Sequence, residues 1–182
     1  MSIAARIIPL VFCLSAPIPP IDYAAHLSAQ IRDCTEAERV AAGDAIREWC
    51  QLYGVSAEKV YRICSIETAG HFGKYAYNKD TQARGLMQMT EIALRDIPSG
   101  ASYFDKHGVA NQKKIYNPAM NLRAGIEYIS VCESRARRVR ARFPLGIRMT
   151  YSVDDFSVLL YCMGAGNVEF ILSALKYVEA YK

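Results

Sequence analysis

The sequence predicts an all-α fold built as one domain, on three observations. Apolar residues recur at spacings of three and four in successive segments. The segments open on capping residues and close on glycine or proline. The period-two alternation of a strand is almost absent. Thr35-Glu36-Ala37-Glu38 has the form of a capping box, in which hydroxyl and carboxylate each satisfy an orphan N–H of the first turn. Ile46, Trp49, Cys50 and Tyr53 follow at helical spacing, so a helix is expected over about 36–53, stopped by Gly54. Ser56 can cap the next helix, whose apolar positions Val60, Ile63 and Cys64 share a face and whose end is marked by Gly70. Residues 71–84 are polar and aromatic without a period and read as a loop. A short helix over 90–97 ends at Pro98-Ser99-Gly100. Asn117 as cap and Pro118 at the first helical position open a long helix with the stripe Leu122, Ile126 and Ile129, which stops before Pro144. Ser152 begins a helix over 153–163, Gly164 and Gly166 break it, and Asn167 starts a last one to about 180.

Composition fits this picture and excludes some classes of function. A chain of 182 residues that is 52% apolar can bury one sizeable core and little more. With 22% charged residues and a net charge of +4, composition implies neither disorder nor a polyanionic partner. The excess charge is local: Arg135, Arg137, Arg138, Arg140 and Arg142 crowd together, with Arg148 beyond. Such a run is most simply a solvated helix face, and its functional readings are contact with acidic peptides, anionic polymers or phospholipid headgroups. No nucleic-acid module accompanies it, so nucleic acid is not an expected partner.

Met1-Ser-Ile-Ala-Ala-Arg6 followed by an apolar run over 7–16 resembles an export signal, expected within residues 1–25. The run is shorter than the roughly 20 residues that span a bilayer, so no stable membrane span is expected. Pro9 within the run, and Pro17 directly after Leu14-Ser15-Ala16, favour the alternative of an uncleaved apolar start. Six cysteines at 13, 34, 50, 64, 132 and 162 form no Cys-x-x-Cys and have no histidine placed to complete a zinc site. They read as small buried hydrophobes, and no metal is expected.

One carboxylate breaks the pattern. Glu67 follows Val60, Ile63 and Cys64 by seven, four and three residues, which places it on the apolar face of its helix. It also lies in the last turn, where the negative end of the helix dipole opposes ionisation, as does desolvation. Both effects raise its pKa. A carboxylic acid still protonated near neutrality can deliver a proton to a departing sugar oxygen. The plain structural reading is a helix-end glutamate turned to solvent or paired with an arginine.

The segment from Tyr61 through Ser65-Ile66-Glu67-Thr68-Ala69-Gly70, with Ala83-Arg84-Gly85-Leu86-Met87-Gln88-Met89, resembles the Glu-Ser and Gly-Leu-Met-Gln motifs of the lytic transglycosylase family. Asn117-Pro118 with Asn121-Leu122-Arg123-Ala124-Gly125 and Tyr128 looks like the family's Asn-Ile-x-x-Gly-x-x-Tyr helix. Leu160-Tyr161-Cys162-Met163-Gly164-Ala165-Gly166 resembles its Ala-Tyr-Asn-Ala-Gly-Pro-Gly turn. Each is weak alone, but four in order over about 53–170 are fairly specific. The resemblance implies a lysozyme-like helical catalytic domain over 35–182 that cleaves peptidoglycan.

It further implies that Glu67 is the single general acid and base. Gln88 and Met87 would line the saccharide groove, Thr68 would stand for the serine after the glutamate, and Gly85 would permit close backbone approach. Asn78 stands where the family often has a sugar-contacting serine. Tyr161 would sit beside Glu67 with its hydroxyl in reach of the carboxyl or the substrate. The plain alternatives are core packing for Met87 and Tyr161, a turn for Gly85 and a helix-start residue for Gln88. Cys162 departs from the family's asparagine and exchanges a strong donor and acceptor for a thiol. The implied reaction splits the MurNAc–GlcNAc β-1,4 bond, leaves a 1,6-anhydromuramoyl end and needs no cofactor. Ordinary glycosidases need a second carboxylate, and for Asp80 and Glu91 a loop and a helix surface are the simpler readings. A hydrolytic lysozyme and a non-catalytic wall-binding or virion component are the alternatives. Such enzymes trim the wall in the periplasm or cell envelope, serve secretion or conjugation machinery, or travel in phage virions.

Overall fold

The computed structural model describes residues 21–143, 145–164 and 167–168. The expected export signal lies almost entirely outside them, as does the last expected helix beyond Val168. Among the described residues the architecture is helical, with one two-stranded hairpin.

Helix α1, Tyr23–Gln30, was not expected; Asp22 caps it by accepting from the N–H of Ala25 at 3.1 Å. It contributes Ala24 and Leu27 to the core and packs on the two helices that follow. Helix α2, Glu36–Tyr53, has the expected capping box, with Thr35 and Glu38 each accepting from the other's backbone N–H, and ends at Gly54 in the left-handed conformation. Helix α3, Ala57–Glu67, is capped by Ser56 and buries Val60, Ile63 and Cys64 completely. It stops at Thr68, before the expected Gly70, and so leaves Glu67 as its last residue.

The expected loop over 71–84 contains strands β1, Tyr77–Asn78, and β2, Ala83–Arg84, paired antiparallel. Helix α4, Glu91–Asp96, follows the Thr90 cap; a 3-10 turn over Gly100–Tyr103 and the single-turn helix α5, Gln112–Ile115, come next.

Helix α6, Pro118–Arg140, is the axis of the molecule. Asn117 caps it, and Leu122, Ile126, Ile129, Cys132 and Ala136 are all but sealed from solvent. It packs against α2 on one side and, on the other, against α8, Val153–Met163, which follows the short α7, Leu145–Thr150. Each buried Leu or Ile of this seam contributes about 1.5–3 kcal/mol. Gly125 lies in the middle of α6, where glycine costs about 1 kcal/mol relative to alanine. A Cβ there would stand 2.5 Å from Met87, so the glycine admits that side chain. Lys59, 7% exposed, joins α3 to both flanking helices through Glu133 and, at 2.8 Å, Asp154.

Of the cysteines, Cys50, Cys64 and Cys132 are buried and Cys34 and Cys162 partly so, all as free thiols. Among the described residues no group of three His, Cys, Asp or Glu side chains could hold a metal, and no helix is long and apolar enough to cross a membrane.

Candidate active site

A cleft of about 500 Å³ opens where the end of α3, the hairpin and α4 face α6 and α8. Glu67 lines it because α3 ends there: the turn that buries Ile63 and Cys64 carries Glu67 to the edge of the core, half-buried. Burial pushes its carboxyl from the usual 4.5 up to about 7, opposed only in part by a hydrogen bond with the Cys162 thiol. That thiol stays protonated, since burial and the neighbouring carboxylate hold its pKa well above the ordinary value. A carboxyl of this kind can give a proton near neutrality and take it back.

Tyr161, from α8, is in the same cleft. Its hydroxyl donates to the Met87 carbonyl at 2.8 Å and stands 3.3 Å from the Met89 sulfur. Its proton is therefore spent on Met87, and what the hydroxyl keeps for Glu67 or a substrate is its oxygen as acceptor. Burial first, then the Glu67 charge, keep the phenol protonated. Its ring meets Tyr128 edge-on at 5.3 Å.

Gln88 lines the cleft at φ 45°, a left-handed turn unusual for glutamine. Its Nε2 donates to the Gly85 carbonyl at 2.9 Å and the Ala76 carbonyl at 3.2 Å, and so holds the turn to the hairpin. The side-chain oxygen is what Gln88 can offer a ligand. Asn78 also lines the cleft, exposed, with its Oδ1 accepting from the N–H groups of Asp80 and Thr81. Its amide hydrogens remain for a sugar.

Three residues expected at the groove lie behind it. Met87 is wholly buried, with its sulfur 3.0 Å from that of Cys64 and its side chain against Gly125, so it packs the core and offers the groove no side chain. Its backbone does the positioning: the N–H donates to Asn121 Oδ1 at 2.8 Å while the carbonyl receives Tyr161. Thr68 is 7% exposed, and its hydroxyl is spent at the end of α3, donating to the Cys64 carbonyl at 2.7 Å and accepting from the Phe72 N–H at 3.0 Å. Gly85 is buried at φ 77°. A Cβ there would lie 2.3 Å from Asn121 Nδ2, so the close approach it permits is to α6.

Other cleft residues were not foreseen as such. Tyr128 and Arg135 lie seven residues apart on one face of α6, and Arg135 is paired with Asp96 of α4 at 3.0 Å. That spacing from the motif tyrosine is the signal that could have found Arg135. Asp96 is the other carboxylate lining the cleft among the described residues. Asp80 is exposed on the turn, and Glu91 is exposed 4.0 Å from Arg84.

Compared with known families, residues 44–170 match the model described as Transglycosylase SLT domain, which covers most of the chain and every cleft residue named above. No significant match was found among curated proteins or among solved structures.

Proposed function

The chain belongs to the transglycosylase SLT domain family, with its lysozyme-like all-α fold and peptidoglycan-lytic type of function, and on that premise we propose that it is a lytic transglycosylase in which Glu67 is the single acid and base. The observation that carries this reading is a half-buried carboxyl at a cleft, held near pKa 7, with a thiol as its hydrogen-bonding neighbour.

In the first step Glu67 gives its proton to the oxygen linking MurNAc C1 to the next GlcNAc, and that bond breaks. The positive charge left at C1 is stabilised by the carbonyl oxygen of the substrate's own N-acetyl group. The Glu67 carboxylate then removes the proton from the C6 hydroxyl as that oxygen bonds to C1. The acid is regenerated, a 1,6-anhydromuramoyl end is formed, and no water is consumed. Gln88 and Asn78 hold the sugars, and Tyr161 walls the site.

Hydrolysis would give reducing ends and calls for a second carboxylate to activate water. Asp96, the other carboxylate lining the cleft among the described residues, is already paired with Arg135. Purified protein incubated with peptidoglycan is expected to release anhydro-ended muropeptides, resolved by mass from hydrated ones. Glu67→Gln is expected to lower the rate by about 10³-fold or more. Reducing-end products from the unaltered protein would establish a muramidase instead, and no release would leave a wall-binding component. On that proposal the protein would act in the cell envelope after export, or from a phage virion.

A further inference from the structure

The run of arginines is not one surface. Arg137 and Arg138 are exposed, and Arg140 is spent on the backbone carbonyls of Tyr151, at 2.8 Å, and Arg148. Arg135 alone of these lines the cleft that holds Glu67. It stands two helical turns along α6 from Tyr128, whose ring packs on Tyr161, and so belongs to the same wall. Nη1 donates to Asp96 Oδ2 at 3.0 Å, with both side chains 34% exposed. That bond orients the guanidinium but uses one of its five N–H groups. Among the described residues no other hydrogen bond is made by this fork. A planar, pre-oriented guanidinium with open donors at the rim of a cleft suits a carboxylate.

Resting on the transglycosylase reading, we propose that Arg135, set in place by Asp96, binds a carboxylate of the short acidic peptide carried by the muramic acid, and that the enzyme therefore prefers peptide-bearing strands. In an intact strand the lactyl group of muramic acid is amide-linked and uncharged. The anions that reach a cleft rim are then those of the peptide itself. Arg135 is in these terms a specificity residue, separate from the proton transfers at Glu67.

The test compares two substrates, peptide-bearing glycan strands and strands whose peptides an amidase has removed, which expose the lactyl carboxylate in their place. Arg135→Gln is expected to raise KM about 10-fold on the peptide-bearing strand, with kcat little changed, and to leave KM on the trimmed strand unaltered. Arg135→Lys, which keeps the charge, is expected to recover part of the loss. An equal rise on both substrates would mean the arginine reads the lactyl group or merely shapes the cleft, and no rise on either would mean it reads nothing; both outcomes overturn the proposal. Should the unaltered protein cleave neither strand, it is the transglycosylase reading that fails. Cosedimentation with the two uncleaved strands then decides the role of Arg135 by the same ratio.

Discussion

Two glutamates of this molecule are taken out of water in opposite company. Glu127, on α6, is 1% exposed, and its oxygens accept from the Tyr53 hydroxyl at 2.9 Å, from the Ser99 N–H at 3.1 Å and from the Ser99 hydroxyl. Glu67 is less deeply set, yet its hydrogen-bonding neighbour is a thiol, a weak donor, and it opens on a cleft. One carboxylate fastens α2 and the loop before the 3-10 turn to the central helix. The other is held where its charge is disfavoured. Burial alone does not mark a reactive carboxyl; burial without matched donors, facing a space a ligand can enter, does.

The contrast breaks first at Glu127. Glu127→Ala removes a buried acceptor from three part-buried donors and is expected to cost about 3 kcal/mol, read by denaturant unfolding. A loss under 1 kcal/mol would mean that Glu127 fastens nothing.

Glu67 is expected to behave in the reverse sense. Its folded-state pKa of about 7 lies above the usual 4.5, so the folded state holds a proton that the unfolded chain releases between those values. Stability is therefore unaffected below about pH 4.5, falls as pH rises towards 7 and stays reduced above it. Glu67→Gln, which cannot ionise, is expected to be more stable than the unaltered protein by roughly 3 kcal/mol at pH 8 and equal to it at pH 4. Melting curves at the two pH values check this, and a difference independent of pH would remove the claim that ionisation is what the fold resists.

The smallest effect sharpens the comparison from the donor's side. Cys162→Asn puts the family's stronger donor beside Glu67, favours its charged form and is expected to lower its pKa by about one unit. Because the proposed acid must be protonated, the fall of kcat/KM with rising pH should begin about one unit earlier. An unmoved profile would mean that residue 162 does not tune the carboxyl.

Where sequence reading succeeds, the chemistry is local. Thr35 with Glu38, Asn117 with Pro118, and Ser152 each cap a helix through atoms three residues away, so the helix starts are legible without tertiary structure. Helix α1 is not, because its eight residues bury only Ala24 and Leu27 and show no stripe. The strands, two residues each, are too short to alternate, and α5 is a single turn held by its surroundings. At the cleft, Glu67 is legible from helix phase. Met87, Thr68 and Gly85 are not separable from Gln88 and Asn78, because a motif brings a turn to the groove without saying which side chains face it. The positive φ of Gln88, in a turn tied to the hairpin, and the packing of Met87 against Gly125, from a helix more than thirty residues away, decide that.

The Met87 peptide joins the two walls of the cleft. Its N–H is tied to α6 through Asn121 and its carbonyl to α8 through Tyr161, both inside the core. A movement that drew the Met87 turn away from α6 or α8 would break one of these bonds, at about 1–3 kcal/mol for the buried group left bare. On this side the cleft has the character of a gauge and not of a jaw: under the proposed function a glycan strand meets a wall already set, and the thickness of the chain, before any chemistry, becomes the first condition it imposes.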